Sequence, residues 1–275
     1  MRPSTRAGRI VFLILQILVA VIILCPILYA VDISFLPLSQ IFKKPPELIP
    51  RELDFSYYVK AFQRAPLVRY LLNTVIVATG ITVGQVFLAC VTAFSFAWFD
   101  FKGKNVLFMV ILATMMIPGE SIVLSNYLTV GELGLLDTYP ALILPSLASA
   151  TTIFFMRQAF LQTPKELYEV ASMEGCGSLR FLLSIQIPLA KGAIGAVSIY
   201  TFINGWNAYM WPLLVTNTDT MRTVQIGIGM LLDAESADYN VMMAGVIIVM
   251  LPTLLLFTLG QKYILSGALA GAVKG

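Results

Sequence analysis

Apolar residues run along this chain in six long blocks separated by shorter polar stretches. A helix rising 1.5 Å per residue needs about 20 largely apolar residues to cross a bilayer. Six blocks meet that length: 10–35, 67–99, 106–128, 141–161, 193–215 and 241–265. The pattern predicts an all-α integral membrane fold of six transmembrane helices, forming one membrane domain over residues 1–275. The second block exceeds a vertical span, so it should tilt or project beyond the bilayer. The first follows Arg2, Arg6 and Arg9 in the manner of a signal peptide. It continues past Pro26 to Tyr29 and Ala30, and Leu24, not a small residue, precedes Cys25. It is therefore expected to be a retained helix.

Composition agrees. Of the 275 residues, 58% are hydrophobic and 12% charged. A soluble domain usually carries about 25% charged residues to cover its surface. The net charge of +3 is too small to suggest nucleic acid, and the absence of histidine removes the commonest metal ligand and general base. Cys25, Cys90 and Cys176 have neither a disulfide framework nor a zinc spacing.

Basic residues favour the cytoplasmic side of a membrane. With a cytoplasmic N-terminus, the inner segments hold Arg2, Arg6, Arg9, Lys102, Lys104, Arg157, Lys165, Arg180, Lys191, Lys262 and Lys274. The outer ones hold Lys43, Lys44, Arg51, Lys60, Arg64, Arg69 and Arg222. Both termini are therefore expected to be cytoplasmic. The first outer segment, 37–66, mixes proline and charge with Phe55, Tyr57, Tyr58 and Phe62, which predicts short interfacial helices.

The longest inner connection is 162–191. Thr163, Pro164 and Glu166 read as an N-cap, a first-turn proline and a capping-box glutamate. Leu167, Val170 and Ala171 then share a helical face. Gly175 and Gly177 suit a reversal, Ser178 suits the cap of a second short helix bearing Leu179, Leu182 and Leu183, and Pro188 ends it. The pattern predicts a helix–turn–helix on the cytoplasmic surface, shaped to enter a partner's groove.

Glu169-Val170-Ala171, then Gly175, then Ile187-Pro188-Leu189 resemble the "EAA" loop of type I ABC-importer permeases. Val170 stands for the usual alanine, Glu174 for aspartate and Cys176 for alanine. Arg157-Gln158, Pro164 and Leu167 match the run into that loop. Residues 144–160, Gly205-Trp206-Asn207, Trp211-Pro212-Leu213-Leu214, Gln261-Lys262-Tyr263 and the tail 271–275 resemble the carbohydrate and glycerol-3-phosphate, or maltose-type, subgroup.

The resemblance implies the type I permease fold with a cytoplasmic coupling helix, in a bacterial inner membrane. It implies a non-enzymatic subunit that pairs with a second homologous permease, two ATP-binding subunits and an extracytoplasmic solute-binding protein. ATP and Mg belong to those ATPases, and no GxxxxGK[ST] occurs in this chain. Glu166, Glu169, Ala171, Glu174, Gly175 and Cys176 are the implied contacts to the ATPase.

Four residues are candidates for the solute path. Glu120 follows Pro118-Gly119 in an apolar span, where a carboxylate is costly and faces either a cavity or the outer surface. Asn204, Trp206 and Asn207 interrupt the fifth block with groups that serve either sugar hydroxyls or neighbouring helices. Gly80 and Gly84 form a GxxxG spacing that suits close helix packing. A stand-alone secondary carrier would need more helices and mid-membrane coupling carboxylates. An intramembrane hydrolase would need a base, and histidine is missing.

Overall fold

The computed structural model describes residues 6–43, 52–231 and 238–272, without the side chains of 6–7 and 262–272. Arg2, Lys44, Arg51, Lys274 and the tail residues Val273 and Gly275, all part of the sequence expectations, lie outside the described residues.

The described residues form α-helices joined by short turns. They are α1 (Arg6–Ile33), α2 (Leu38–Ile41), α3 (Ser56–Arg64), α4 (Leu67–Trp98), α5 (Lys104–Ala113), α6 (Gly119–Glu132), α7 (Tyr139–Ile143), α8 (Ala150–Phe160), α9 (Lys165–Met173), α10 (Ser178–Phe181), α11 (Ile187–Leu189), α12 (Lys191–Trp206), α13 (Met210–Val215), α14 (Val224–Leu231) and α15 (Tyr239–Ala272). Three stretches are long and apolar enough to cross a bilayer alone: Gly8–Ile33, Leu67–Trp98 and Tyr239–Gln261. Three bent pairs raise the total to six if each pair is one span.

The first, second and sixth apolar blocks are thus continuous helices, as expected. The third, fourth and fifth are broken, which corrects the expectation of six simple spans. The third bends by 97° between Met116 and Gly119. Pro118 lacks an N–H and forces Ile117 into extended backbone (φ −82°, ψ 116°). The fourth bends by 52° before α8, where Ser149 is extended and its side chain caps Thr152 N at 3.3 Å. The fifth stops at Trp206 instead of running to Val215. Pro212, in the first turn of α13, has no N–H to continue the ladder.

The chain forms two compact units. The smaller comprises Met1–Val68 and Gly227–Leu251. Here short helices appear in the described part of 37–66, as α2 and α3. Ser34 Oγ and Tyr58 OH lie 2.8 Å apart, Phe35 packs edge-on against Phe55 at 5.2 Å, and Arg64 forms an ion pair with Asp238. Asn240 donates to Leu36 O at 3.3 Å, leaving Asn240 only 2% exposed.

The larger unit comprises Arg69–Ile226 and Pro252–Gly275, and α4 runs through two apolar clusters in it. One gathers Val77, Ile81, Val130, Leu142 and Val215. The other gathers Ala89, Phe94, Met156, Phe160, Phe181 and Leu182. Gln85 sits between them along α4. Its amide donates to Ser146 O at 2.7 Å, and its carbonyl accepts from Thr152 and Thr201, each at 3.0 Å. A broken helix in a membrane survives only where side chains satisfy the freed backbone groups. Gln85 does this for the break before α8 and ties α4, α8 and α12 together. The GxxxG pair serves the same approach. A Cβ on Gly80 would meet Ile143 Cδ1 at 2.8 Å, and one on Gly84 would meet Leu147 Cδ2 at 2.5 Å.

At the other end of this unit, Asn73 is fully buried and donates to Thr220 O (2.9 Å) and Arg222 O (2.8 Å) while accepting from Tyr139 OH (2.8 Å). Asp137, at a left-handed φ of 62°, accepts from Asn217 N, Thr218 N and Thr218 Oγ. Partial burial disfavours its charge, but these bonds and nearby Arg222 outweigh that and hold its carboxyl below the ordinary carboxylate value. These contacts fix the connection between α6 and α7 against the segment after α13.

Candidate functional site

The loop 162–191 is a folded body. Helix α9 ends in a Schellman turn: Gly175 N donates to Ser172 O at 3.0 Å and Cys176 N to Ala171 O at 2.9 Å. This closure needs the left-handed conformation at Gly175, whose φ is +80°. No atom lies within 4 Å of where its Cβ would stand. Glycine is therefore required here by the backbone and not by space.

An aromatic cluster seats the loop on the helix ends. Phe181 is 0% exposed. Its ring packs edge-on against Tyr168 at 4.8 Å and Trp98 at 5.4 Å, and tilted against Phe94 at 6.3 Å. Tyr168 OH and Ser178 Oγ, 3.0 Å apart, join α9 to α10. Ala171, 8% exposed, leaves room for this packing. At the base, Gln186 is fully buried in a π-turn over Leu182–Gln186 and donates to Thr163 Oγ1 at 3.1 Å. The entrance and exit of the loop are thereby tied to each other.

Several local expectations change. Pro164, not Thr163, occupies the N-cap of α9, without a side-chain cap, because Thr163 is engaged by Gln186. Gly177, not Ser178, is the N-cap of α10, and the Ser178 hydroxyl turns to Tyr168. Pro188 lies inside α11, and the chain turns after it, with an 80° bend between Leu189 and Lys191. The expected apolar faces split. Ala171 and Leu182 are buried, while Leu167 (44%), Val170 (49%), Leu179 (69%) and Leu183 (56%) are exposed with Met173 at 80%.

The open surface of the loop is thus apolar side chains set among charged ones, with Lys165 and Arg180 exposed as well as the acids. Glu166, Glu169 and Glu174 are exposed around Val170 and Met173, and Cys176 is half-buried. Large apolar groups left exposed on a well-packed body are the kind of surface that partners cover. Tyr168, Phe181, Trp98 and the Thr163–Gln186 tie were not singled out in the sequence. An aromatic at each of 94, 98, 168 and 181 was the available signal.

The solute-path candidates are placed separately from this loop. Glu120 lies in the first turn of α6, directly after the 97° bend, with its side chain exposed and with no hydrogen bond or ion pair to another described residue. Asn204 is exposed and bonds Tyr200 O at 2.9 Å. Asn207, exposed at the C-cap of α12, accepts from Gln225 at 3.4 Å. Trp206 is 1% exposed, stacks on Phe202 at 5.8 Å and leaves its indole N–H without a partner. The two amides and the carboxylate therefore face outward from this chain, and the indole packs inward. Among the described residues, no cluster of His, Cys, Asp or Glu could hold a metal ion.

Comparison with known proteins places this arrangement. Residues 85–267 match the family model "Binding-protein-dependent transport system inner membrane component". The sn-glycerol-3-phosphate transport system permease protein UgpE of Brucella abortus is 35% identical over 92% of this chain and 93% of its own length. The arabinooligosaccharides transport system permease protein AraQ of Bacillus subtilis is 32% identical over 99% and 98%. A crystal structure of a bacterial ABC transporter involved in the import of alginate shares the fold, with a TM-score of 0.81 over 96% of this chain at 22% identity.

Proposed function

The chain belongs to the family of binding-protein-dependent transport system inner membrane components, and from that premise we propose how its parts divide the work of import. It is a membrane-embedded transporter subunit and not an enzyme. ATP is bound and hydrolysed by separate ATPase subunits. A second homologous permease completes the pathway, and an extracytoplasmic binding protein delivers the solute.

In this reading the loop 162–191 is the coupling element. The observation that carries it is a rigid hairpin, pinned by Phe181 and by the Thr163–Gln186 bond, that exposes Val170 and Met173 among Glu166, Glu169 and Glu174. Such a surface suits an ATPase groove of opposite charge with an apolar floor. Movement of the ATPase pair on ATP binding would carry the loop as one piece. Because Leu182–Leu189 leads through the 80° bend into α12, the loop's rotation would reach the helices that line the path. Alternating access then follows as a rigid-body exchange between two states.

The solute is proposed to be a sugar or a glycerol-3-phosphate-type polyol. The supporting observation is the exposure of Glu120, Asn204 and Asn207 beside helix breaks, where hydroxyl groups would find acceptors and donors. Glu120→Leu and Asn207→Leu transporters, reconstituted in vesicles with the binding protein, are expected to lose most uptake while retaining both ATPase subunits. Unchanged uptake in both variants would remove these residues from the path.

Both termini and the loop are proposed to face the cytoplasm. An impermeant maleimide applied to intact cells is then expected to miss Cys176 and to label it after permeabilisation. Efficient labelling of Cys176 in intact cells would invert the orientation.

A further inference from the structure

At the loop-side end of the larger unit, the connection between α4 and α5, the start of α5 and Arg157 of α8 line an open cleft of about 490 Å³. Arg157 forms one wall. Its guanidinium stacks on Phe108 at 4.2 Å, and its Nε donates to Phe96 O at 3.3 Å. The rings of Phe96 and Phe108 pack against each other at 5.4 Å behind the guanidinium. These contacts use the face and one edge of the guanidinium and leave its two Nη groups without a partner among the described residues.

Arg157 also has no counter-charge among the described residues. Asp100 lines the same cleft, but it pairs with Lys104 at 3.2 Å and its side chain is 100% exposed. A guanidinium with free Nη donors at a helix end suits an anionic oxygen group. Lys104, paired with Asp100, and Arg157 leave the cleft lining a net charge of +1, and the exposed amide of Asn105 adds a donor. The far wall is apolar. Phe101 (40%) and Val106 (59%) line it exposed, and exposed Val110 (57%) follows Val106 one turn further along α5.

We propose that this cleft is a site for the phosphate of an anionic phospholipid. Arg157, Lys104 and Asn105 hold the headgroup phosphate, and the acyl chains lie along the apolar side of α5. Basic pockets between transmembrane helices bind anionic headgroups in this way. The lipid belongs to the leaflet that meets the loop 162–191. A free phosphate would share the polar contacts but would not use the apolar wall, and an acidic ATPase segment would have no reason to follow α5 into the bilayer.

The test is a native mass spectrometry titration of the purified complete transporter with dioleoylphosphatidylglycerol. Lys104→Gln and Arg157→Gln are each expected to weaken the lipid adduct by about fivefold, the effect of one basic residue near an anionic headgroup. Lys102→Gln removes the same charge outside the cleft and is expected to change little. Lys104→Gln guards against misfolding, because among the described residues the Lys104 side chain bonds only to exposed Asp100. Millimolar inorganic phosphate should not displace the lipid. Unchanged lipid affinity in both cleft variants would overturn the proposal. So would an equal loss in Lys102→Gln, displacement by phosphate alone, or loss of an ATPase subunit in place of lipid.

Discussion

Gly175→Val should abolish the rise in ATPase activity that the loaded binding protein produces, and with it most solute uptake, while the complex still assembles. The residue has φ +80° and its hydrogen bonds close α9. A left-handed conformation costs a non-glycine residue roughly 1–2 kcal/mol, and a β-branched one sits at the high end. The space around the position is open, so the variant meets no steric clash that would unfold the helices. The strain is relieved only by opening the Schellman turn. That changes the angle between α9 and α10, and with it the spacing of Glu169, Met173 and Leu179. Gly175→Ala should show the same defect in weaker form. Glu169→Ala leaves the loop folded but removes a charged contact, with a loss of up to a few kcal/mol of partner binding if that contact is buried. ATPase assays in proteoliposomes, with and without binding protein, measure both effects. Full stimulation in Gly175→Val would show that the turn is not part of the transmission.

Phe181→Ala should have the second large effect, on stability and coupling together. The side chain is fully buried between Tyr168, Trp98 and Phe94. Truncating a buried phenylalanine typically costs about 3–5 kcal/mol through lost transfer energy and the cavity left behind. The loss falls where the loop rests on the ends of α4 and α8, so the loop should detach before the spans unfold. Phe181→Leu conserves more volume and should cost well under half as much. Limited proteolysis at Lys165 and Arg180 should accelerate in Phe181→Ala, and uptake should fall in proportion. Wild-type cleavage rates in that variant would mean that the aromatic cluster does not hold the loop.

The spans that are continuous helices were legible because the apolar run carries the signal unaided. In α4 no proline interrupts the interior, in α1 the apolar run carries the helix past Pro26, and their ends fall within a few residues of the expected ones. The breaks were less legible. Pro118, Pro145 and Pro212 mark them, yet a hydropathy pattern sums over a proline without registering its missing N–H. What makes the breaks tolerable, such as Gln85 bonding Ser146 O, depends on residues some 60 positions apart. Gly175 was readable as a reversal, because a glycine after a short amphipathic run is a local signal. The faces of α9 and α10 were not. Their periodicity identifies which residues share a side of the helix, but not whether that side meets the helix ends or a partner. Val170 and Met173 are as apolar as buried Ala171 yet exposed, so the sequence alone could not separate them.

The central claim is that the loop 162–191 docks on an ATPase subunit. The most direct measurement is cross-linking from Met173→Cys, a position 80% exposed on the loop, in a chain with Cys25, Cys90 and Cys176 replaced by serine. Leu133→Cys, 66% exposed in the turn after α6, serves as the control. A short bifunctional thiol–amine reagent added to membranes should join position 173 to an ATPase subunit, and ATP should change the yield. Position 133 should give no such product. Absence of a 173–ATPase adduct, with the complex shown to be intact and active, would contradict the account.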